Sequence, residues 1–166
     1  MSFVALDVET ANADMSSICQ IGLVHCVDRS IAPTWKSYIN PEDEFDPVNV
    51  SIHGITPDTV KHAPKLPQVA DELRGHIANA VVACHTHFDR VAVSQAYSKY
   101  RLTPFECCWL DTARVARRTW QEFARTGYGL HSVCKHITMM LWRTQRRPPK
   151  YSSLLWTRPV WTCRAG

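Results

Sequence analysis

Long apolar runs are absent from this chain of 166 residues, and its start, Met1-Ser2-Phe3-Val4-Ala5-Leu6-Asp7, has no basic segment and meets a charge by position 7. A membrane-crossing helix needs about 20 apolar residues in succession. Neither a span nor a signal peptide is therefore expected, and a cytoplasmic location is the expectation. The seven cysteines contain no C-x-x-C spacing, and Cys84, His85 and His87 make the only cluster that mixes potential metal ligands. Free, mostly buried thiols are the reading that follows. Acid is also missing from one end. Residues 139–166 hold six basic residues (Arg143, Arg146, Arg147, Lys150, Arg158, Arg164) and no Asp or Glu. The net charge of +4 thus conceals 13 basic and 15 acidic residues in positions 1–138, a balance of −2. A broadly basic surface is excluded there, so anything gripping phosphate must use metal or local Lys and Arg. The length suits one domain with a single core.

The first segment, Phe3 to Thr10, is a run of strand-forming residues that carries two carboxylates two positions apart, Asp7 and Glu9. Residues i and i+2 of a strand share a face, so the two acids repel each other unless something cationic lies between them. A divalent ion held by carboxylate oxygens is the simplest answer. The plain alternative is an edge strand with both acids in solvent.

Further along, Ile18–Val27 and Thr34–Ile39 read as strands joined near Asp28-Arg29-Ser30, giving three antiparallel strands. Residues 40–58 are rich in Pro, Asp and Glu, lack a long period and read as a surface loop. Leu66, Val69, Ala70, Leu73 and Ile77 form a helical stripe, with Pro67 in its first turn. Ala80–Cys84 reads as a strand covered on both faces. Phe88, Val91, Ala92 and Ala96 then recur at helical spacing, with Asp89 near the helix N-terminus, where the dipole favours an acid. Cys107–Leu110 reads as a strand and Thr112–Trp120 as a helix on which Arg114 and Arg118 share a face. Leu130, Val133, Cys134 and Ile137 mark a last amphipathic helix, with His131 and His136 at its surface. Alternating strands and helices make an α/β domain.

Three segments in order, Ala5-Leu6-Asp7-Val8-Glu9-Thr10, Ile52-His53-Gly54-Ile55-Thr56 and His85-Thr86-His87-Phe88-Asp89, resemble motifs of the His-type DEDD 3′-5′ exonucleases, the superfamily of the proofreading epsilon subunit of bacterial DNA polymerase III. The resemblance covers residue 3 to about 137. It implies a ribonuclease-H-like mixed sheet flanked by helices. The implied activity is hydrolysis of the 3′-terminal phosphodiester of DNA or RNA, with two Mg²⁺ or Mn²⁺ ions on Asp7, Glu9 and Asp89. Val8, Thr10, Ile52, His53, Ile55, His85 and Phe88 are implied substrate contacts, Ile52 and Ile55 as apolar wedges against the terminal base. Single-stranded or 3′-terminal nucleic acid, and a DNA polymerase, are the implied partners. Where the family usually carries His-Asn, this chain has Cys84-His85. A non-catalytic nucleic-acid or polymerase-binding module on the same fold is the alternative.

The family's third motif, a His followed after four residues by an Asp, has no match after Ile137. The chain instead reads Thr138-Met139-Met140-Leu141-Trp142-Arg143-Thr144-Gln145. Met and Trp have single codons, so the frame beginning at each third base is partly fixed. It forces Asp at Met139-Met140, Trp156-Thr157 and Trp161-Thr162, and it permits His-Asp-Ala-Leu-Glu-Asp-Ala-Lys across residues 138–145. The expectation is an incomplete exonuclease domain at 1–137 with its C-terminal helix lost, followed by an aberrant basic tail at 138–166 that is out of frame.

Overall fold

The computed structural model describes residues 2–28, 30–125 and 127–133. Packing divides the chain into two units, 1–112 and 113–166, a cut that falls inside the 1–137 domain expected above. The expected tail lies outside the described residues.

The first unit is built on a sheet of five strands among the described residues, in the order β3-β2-β1-β4-β5. β1 (Ser2–Thr10), β2 (Ile18–Val27) and β3 (Ser30–Tyr38) form the antiparallel meander, while β4 (Val81–Cys84) and β5 (Cys108–Asp111) run parallel to β1. The mixed, ribonuclease-H-like sheet is as expected. β3 begins four residues earlier than the apolar pattern suggested, because Ser30 and Ile31 pair with Val27 and Cys26 across the turn.

Val4, Leu6 and Val8 point from β1 into the main core, where Ile21, Leu23 and Val82 join them from neighbouring strands. α3 (Leu66–Ile77) completes that core with all five residues of its expected stripe. Because the strand period is 2, Ala5, Asp7 and Glu9 lie on the opposite face. Val81 and Leu110 share that face through the register of β4 and β5, and they remain 38% and 41% exposed. The strand read as covered on both faces is therefore open at Val81.

Two sequence readings need correction. The segment read as a loop over 40–58 instead contains α1 (Pro47–His53) and the start of α2 (Pro57–Val60). Neither has an apolar period to betray it; caps make them. Asp46 accepts the Val48 N–H, Pro47 fits the first turn and Gly54 closes α1 at φ 74°, while Thr56 caps α2. α4 (Phe88–Lys99) buries Asp89, Ala92, Val93, Ala96 and Tyr97, a face turned by one residue from the stripe expected at Phe88, Val91, Ala92 and Ala96. That rotation carries an acid inward.

α5 (Thr112–Thr119) follows β5 in sequence, and from Ala113 on it belongs to the second unit; it buries Ala113 and Ala116, and a 3₁₀ turn follows at Gln121–Ala124. Phe123 meets Trp120 and Tyr128 edge-on, and the Arg117 guanidinium lies 5.8 Å from the Tyr128 ring centroid. The last expected helix has begun by Leu130–Val133; its Cys134, His136 and Ile137 lie outside the described residues. No helix among the described residues is long and apolar enough to cross a membrane.

Candidate active site

β4 pairs with β1 only at Val4 and Ala5, so the edge of β1 beyond its partner is open at Val8. The chain leaves β4 at Cys84, turns through residues 85–87 and enters α4, which brings Asp89 back onto that edge. Its Oδ1 accepts the Val8 N–H at 3.1 Å. Val8 stands between Asp7 and Glu9, so one hydrogen bond places the acid of the third motif segment beside the acids of the first.

Electrostatics report the same proximity. Burial, then Asp7, then Asp89 push the Glu9 carboxyl up to about 7. Burial and then Asp7 raise Asp89 to about 6, against the lowering effect of the backbone N–H groups of Val8, Asp89 and His85. Burial also raises Asp7, yet its side chain is exposed, and solvent there offsets much of that effect. Of these acids Glu9 is therefore the one that takes up a proton first as pH falls. Among the described residues no cationic side chain forms an ion pair with any of the three.

Three oxygen-donor acids that repel one another are the kind of donor a hard divalent ion takes. The fit is one of chemistry and neighbourhood. Among the described residues no group of three His, Cys, Asp or Glu side chains is arranged to hold a metal ion as it stands. Asp89 shares the edge of β1 with Asp7 and Glu9 and lies in their field, without the spacing that would bring the three carboxylates to one point. Cys84, His85 and His87 make no metal group either. The Cys84 thiol is buried and is pushed up to about 11 by burial, then by Asp89 and Asp111, so it is an inert structural thiol. All five cysteines among the described residues are free, but only Cys19 and Cys84 are buried.

The implied substrate contacts divide. Ile52 stands 76% exposed on α1, with Val48 one turn before it 64% exposed. Ile55, expected beside Ile52 as a second wedge, is 4% exposed in a small cluster with Ala11, Cys19 and Val60; the left-handed turn at Gly54 sends the chain inward there. His53 uses both ring nitrogens on backbone. Nδ1 accepts the Ile55 N–H at 2.9 Å, which assigns the proton to Nε2, 3.2 Å from the Thr10 carbonyl. Asn49 Nδ2 donates to the same carbonyl at 2.9 Å. Thr10 and Val8 have buried side chains. Phe88 is half-buried against the main core. His85 is half-buried, with Nδ1 3.0 Å from Thr112 Oγ1.

The sequence reading missed Asn49, which ties α1 to the end of β1, and Asp111 with Thr112, which brace the turn before α4. Nothing periodic marks them. The only local signal is an acid closing a strand.

The family model described as Exonuclease (RNase_T) matches residues 4–141. The chain belongs to the exonuclease family. Its resemblance to the DEDD 3′-5′ exonuclease superfamily, expected from the motifs, is borne out. Over 148 residues it is 25% identical to the PolC-type DNA polymerase III of Oceanobacillus iheyensis, a match covering 87% of this chain and 10% of that protein. The corresponding polymerase of Caldanaerobacter subterraneus is 28% identical over 142 residues, covering 84% of this chain and 10% of its own. The chain spans about a tenth of the length of these curated relatives. Among solved structures, exonuclease X in complex with 5′-overhanging duplex DNA has a TM-score of 0.58 at 19% identity, covering 93% of this chain and 79% of that one. Exonuclease I of E. coli in complex with a 5cy-dA13 oligonucleotide has a TM-score of 0.63 at 15% identity, covering 72% and 30%. These neighbours share the fold.

Proposed function

We propose that this exonuclease-family chain derives from a cytoplasmic 3′-5′ exonuclease that removes nucleoside monophosphates from the 3′ end of nucleic acid, and that the form described here is impaired. The observation that carries the reading is the Val8–Asp89 hydrogen bond, which sets Asp89 beside Asp7 and Glu9. Asp7, Glu9 and Asp89 would hold the divalent cations, Mg²⁺ or Mn²⁺. The chemistry supplied at these carboxylates would be positive charge to activate water and stabilise the leaving oxygen. Glu9 must lose its proton before it serves as a ligand, so cation binding strengthens as pH rises through about 7. The exposed Ile52 and Val48 offer apolar surface to the terminal base, while His53 and Asn49 fix α1 against β1 so that this surface keeps its place. Residues from about 138 onward are an out-of-frame tail, a reading that rests on the codon pattern there; the family match itself runs four residues into it, to residue 141. The His that serves the family as general base, and the fourth carboxylate, are both missing from it. A polymerase is the partner that the PolC-type relatives suggest.

The test is release of mononucleotides from a 5′-labelled single strand, DNA and RNA in parallel, with Mn²⁺. Loss of the general base alone costs about 10² to 10⁴ in rate, so the chain as it stands should be nearly inactive. The same gene corrected by a one- or two-base change that restores the displaced frame should be active and more stable. Robust degradation by the present form, abolished by Asp7→Asn, would overturn the impairment. Oligonucleotide binding without hydrolysis in both forms would favour the non-catalytic module.

A further inference from the structure

The turn that delivers Asp89 is strained. Thr86 lies at φ 73°, a left-handed conformation in which a β-branched residue is an outlier, and outliers of this kind persist only where the surroundings enforce them. The helix that follows does little to enforce it. His87, the N-cap of α4, makes no side-chain capping bond, and the Phe88 N–H reaches Thr86 Oγ1 only at 3.5 Å. Support comes instead from the end of β5, whose Asp111 is aligned with Cys84 of β4. Asp111 Oδ1 accepts the Thr86 N–H at 3.2 Å. The adjoining Thr112 hydroxyl donates to the Cys84 carbonyl at 3.0 Å. With that proton spent, Thr112 Oγ1 can only accept from His85, which assigns a proton to His85 Nδ1. The Cys84 thiol closes the turn on the Thr86 carbonyl at 3.1 Å. Cys84, His85 and Thr86 are thus each held, and Asp111 and Thr112, which reach the turn from outside it, are the last residue of β5 and the first of α5.

We propose that Asp111 is a positioning residue of the candidate metal site: by holding Thr86 in its left-handed turn it fixes the entry of α4 and so keeps Asp89 on the open edge of β1 beside Asp7 and Glu9. The proposal rests on reading those three acids as cation ligands. Asp111 itself does not touch the cation; its effect passes through the Thr86 backbone. Glycine adopts a positive φ without strain, so the dependence on Asp111 should vanish when Thr86 is replaced by Gly.

The test is titration of the 166-residue chain with Mn²⁺, followed by calorimetry and by the thermal midpoint at each concentration. Asp111→Ala should raise the half-saturating Mn²⁺ concentration about tenfold, the effect usual for residues that orient ligands. Asp111→Asn, which keeps an acceptor oxygen in the same place, should bind Mn²⁺ nearly as the parent does. Thr86→Gly combined with Asp111→Ala should restore the parent's half-saturation, a rescue that a general loss of stability would not show. Should Asp111→Ala fail to fold, the double variant still decides: restored affinity supports the proposal and weakened affinity overturns it. Asp89→Asn separates the two readings. If it leaves Mn²⁺ binding intact, the metal site itself is wrong; if it abolishes binding while Asp111→Ala leaves half-saturation unchanged, only the positioning role fails.

Discussion

α3 and α4 have the same length, 12 residues each, and pack into the same core, yet they are held for different reasons. α3 buries Leu66, Val69, Ala70, Leu73 and Ile77, an unbroken apolar stripe. α4 puts Asp89 on its buried face with Ala92, Val93, Ala96 and Tyr97, and so gives up part of its apolar contact to carry a carboxylate. Burying that acid raises its pKa to about 6 even with the Val8 N–H in place. The orientation of a helix chosen by the core is legible from its period; that of a helix chosen by a site is not, because the site's demand is carried by one residue.

Removing apolar contact from α3 should touch stability alone. Leu73→Ala should cost about 2–5 kcal/mol of stability, measured by denaturant unfolding, with the half-saturating Mn²⁺ concentration unchanged; a change in Mn²⁺ affinity would mean that the two helices do not divide their tasks. Asp89→Asn should do the converse. It should weaken Mn²⁺ binding by about 100-fold and leave the thermal midpoint at pH 8 equal or higher, since a buried charge is removed. A midpoint that falls by several degrees would instead make Asp89 a structural anchor.

Glu9 and Asp89 have folded-state values near 7 and 6, above their usual 4.5 and 3.8. The folded chain therefore holds more protons than the unfolded one in that window. Stability from these groups is present below about pH 4 and is lost as pH rises through 6 to 7. Without divalent cations the midpoint should fall on the order of 5 °C between pH 5 and pH 8. Mn²⁺ should flatten that slope, as should Glu9→Gln. A midpoint that rises over the same interval would show that the acids are not desolvated.

The smallest effect concerns α1, which buries no residue of its own. Ile52→Ala should alter stability by less than about 0.5 kcal/mol while weakening retention of a single-stranded oligonucleotide about fivefold, read by filter binding. Ile55→Ala should show the opposite balance, because Ile55 packs in the second cluster.

The linear sequence determined β1, β2 and α3, and it determined that Asp7 and Glu9 share a face, because strand and helix periods are local and every residue of those elements obeys them. It also marked Asp89 by resemblance, through residues that stand together in the chain. It could not show α1 and α2, whose caps at Asp46 and Thr56 act without an apolar period, nor that Ile55 turns inward after Gly54. Only the tertiary structure decided that α4 rotates by one residue to bury Asp89, and that Asp111 braces a strained Thr86 across 25 positions of sequence. The first depends on where β4 stops against β1, the second on how β5 is aligned with β4. The end of a pairing is set by the packing of the whole sheet, and no spacing within a single segment records it.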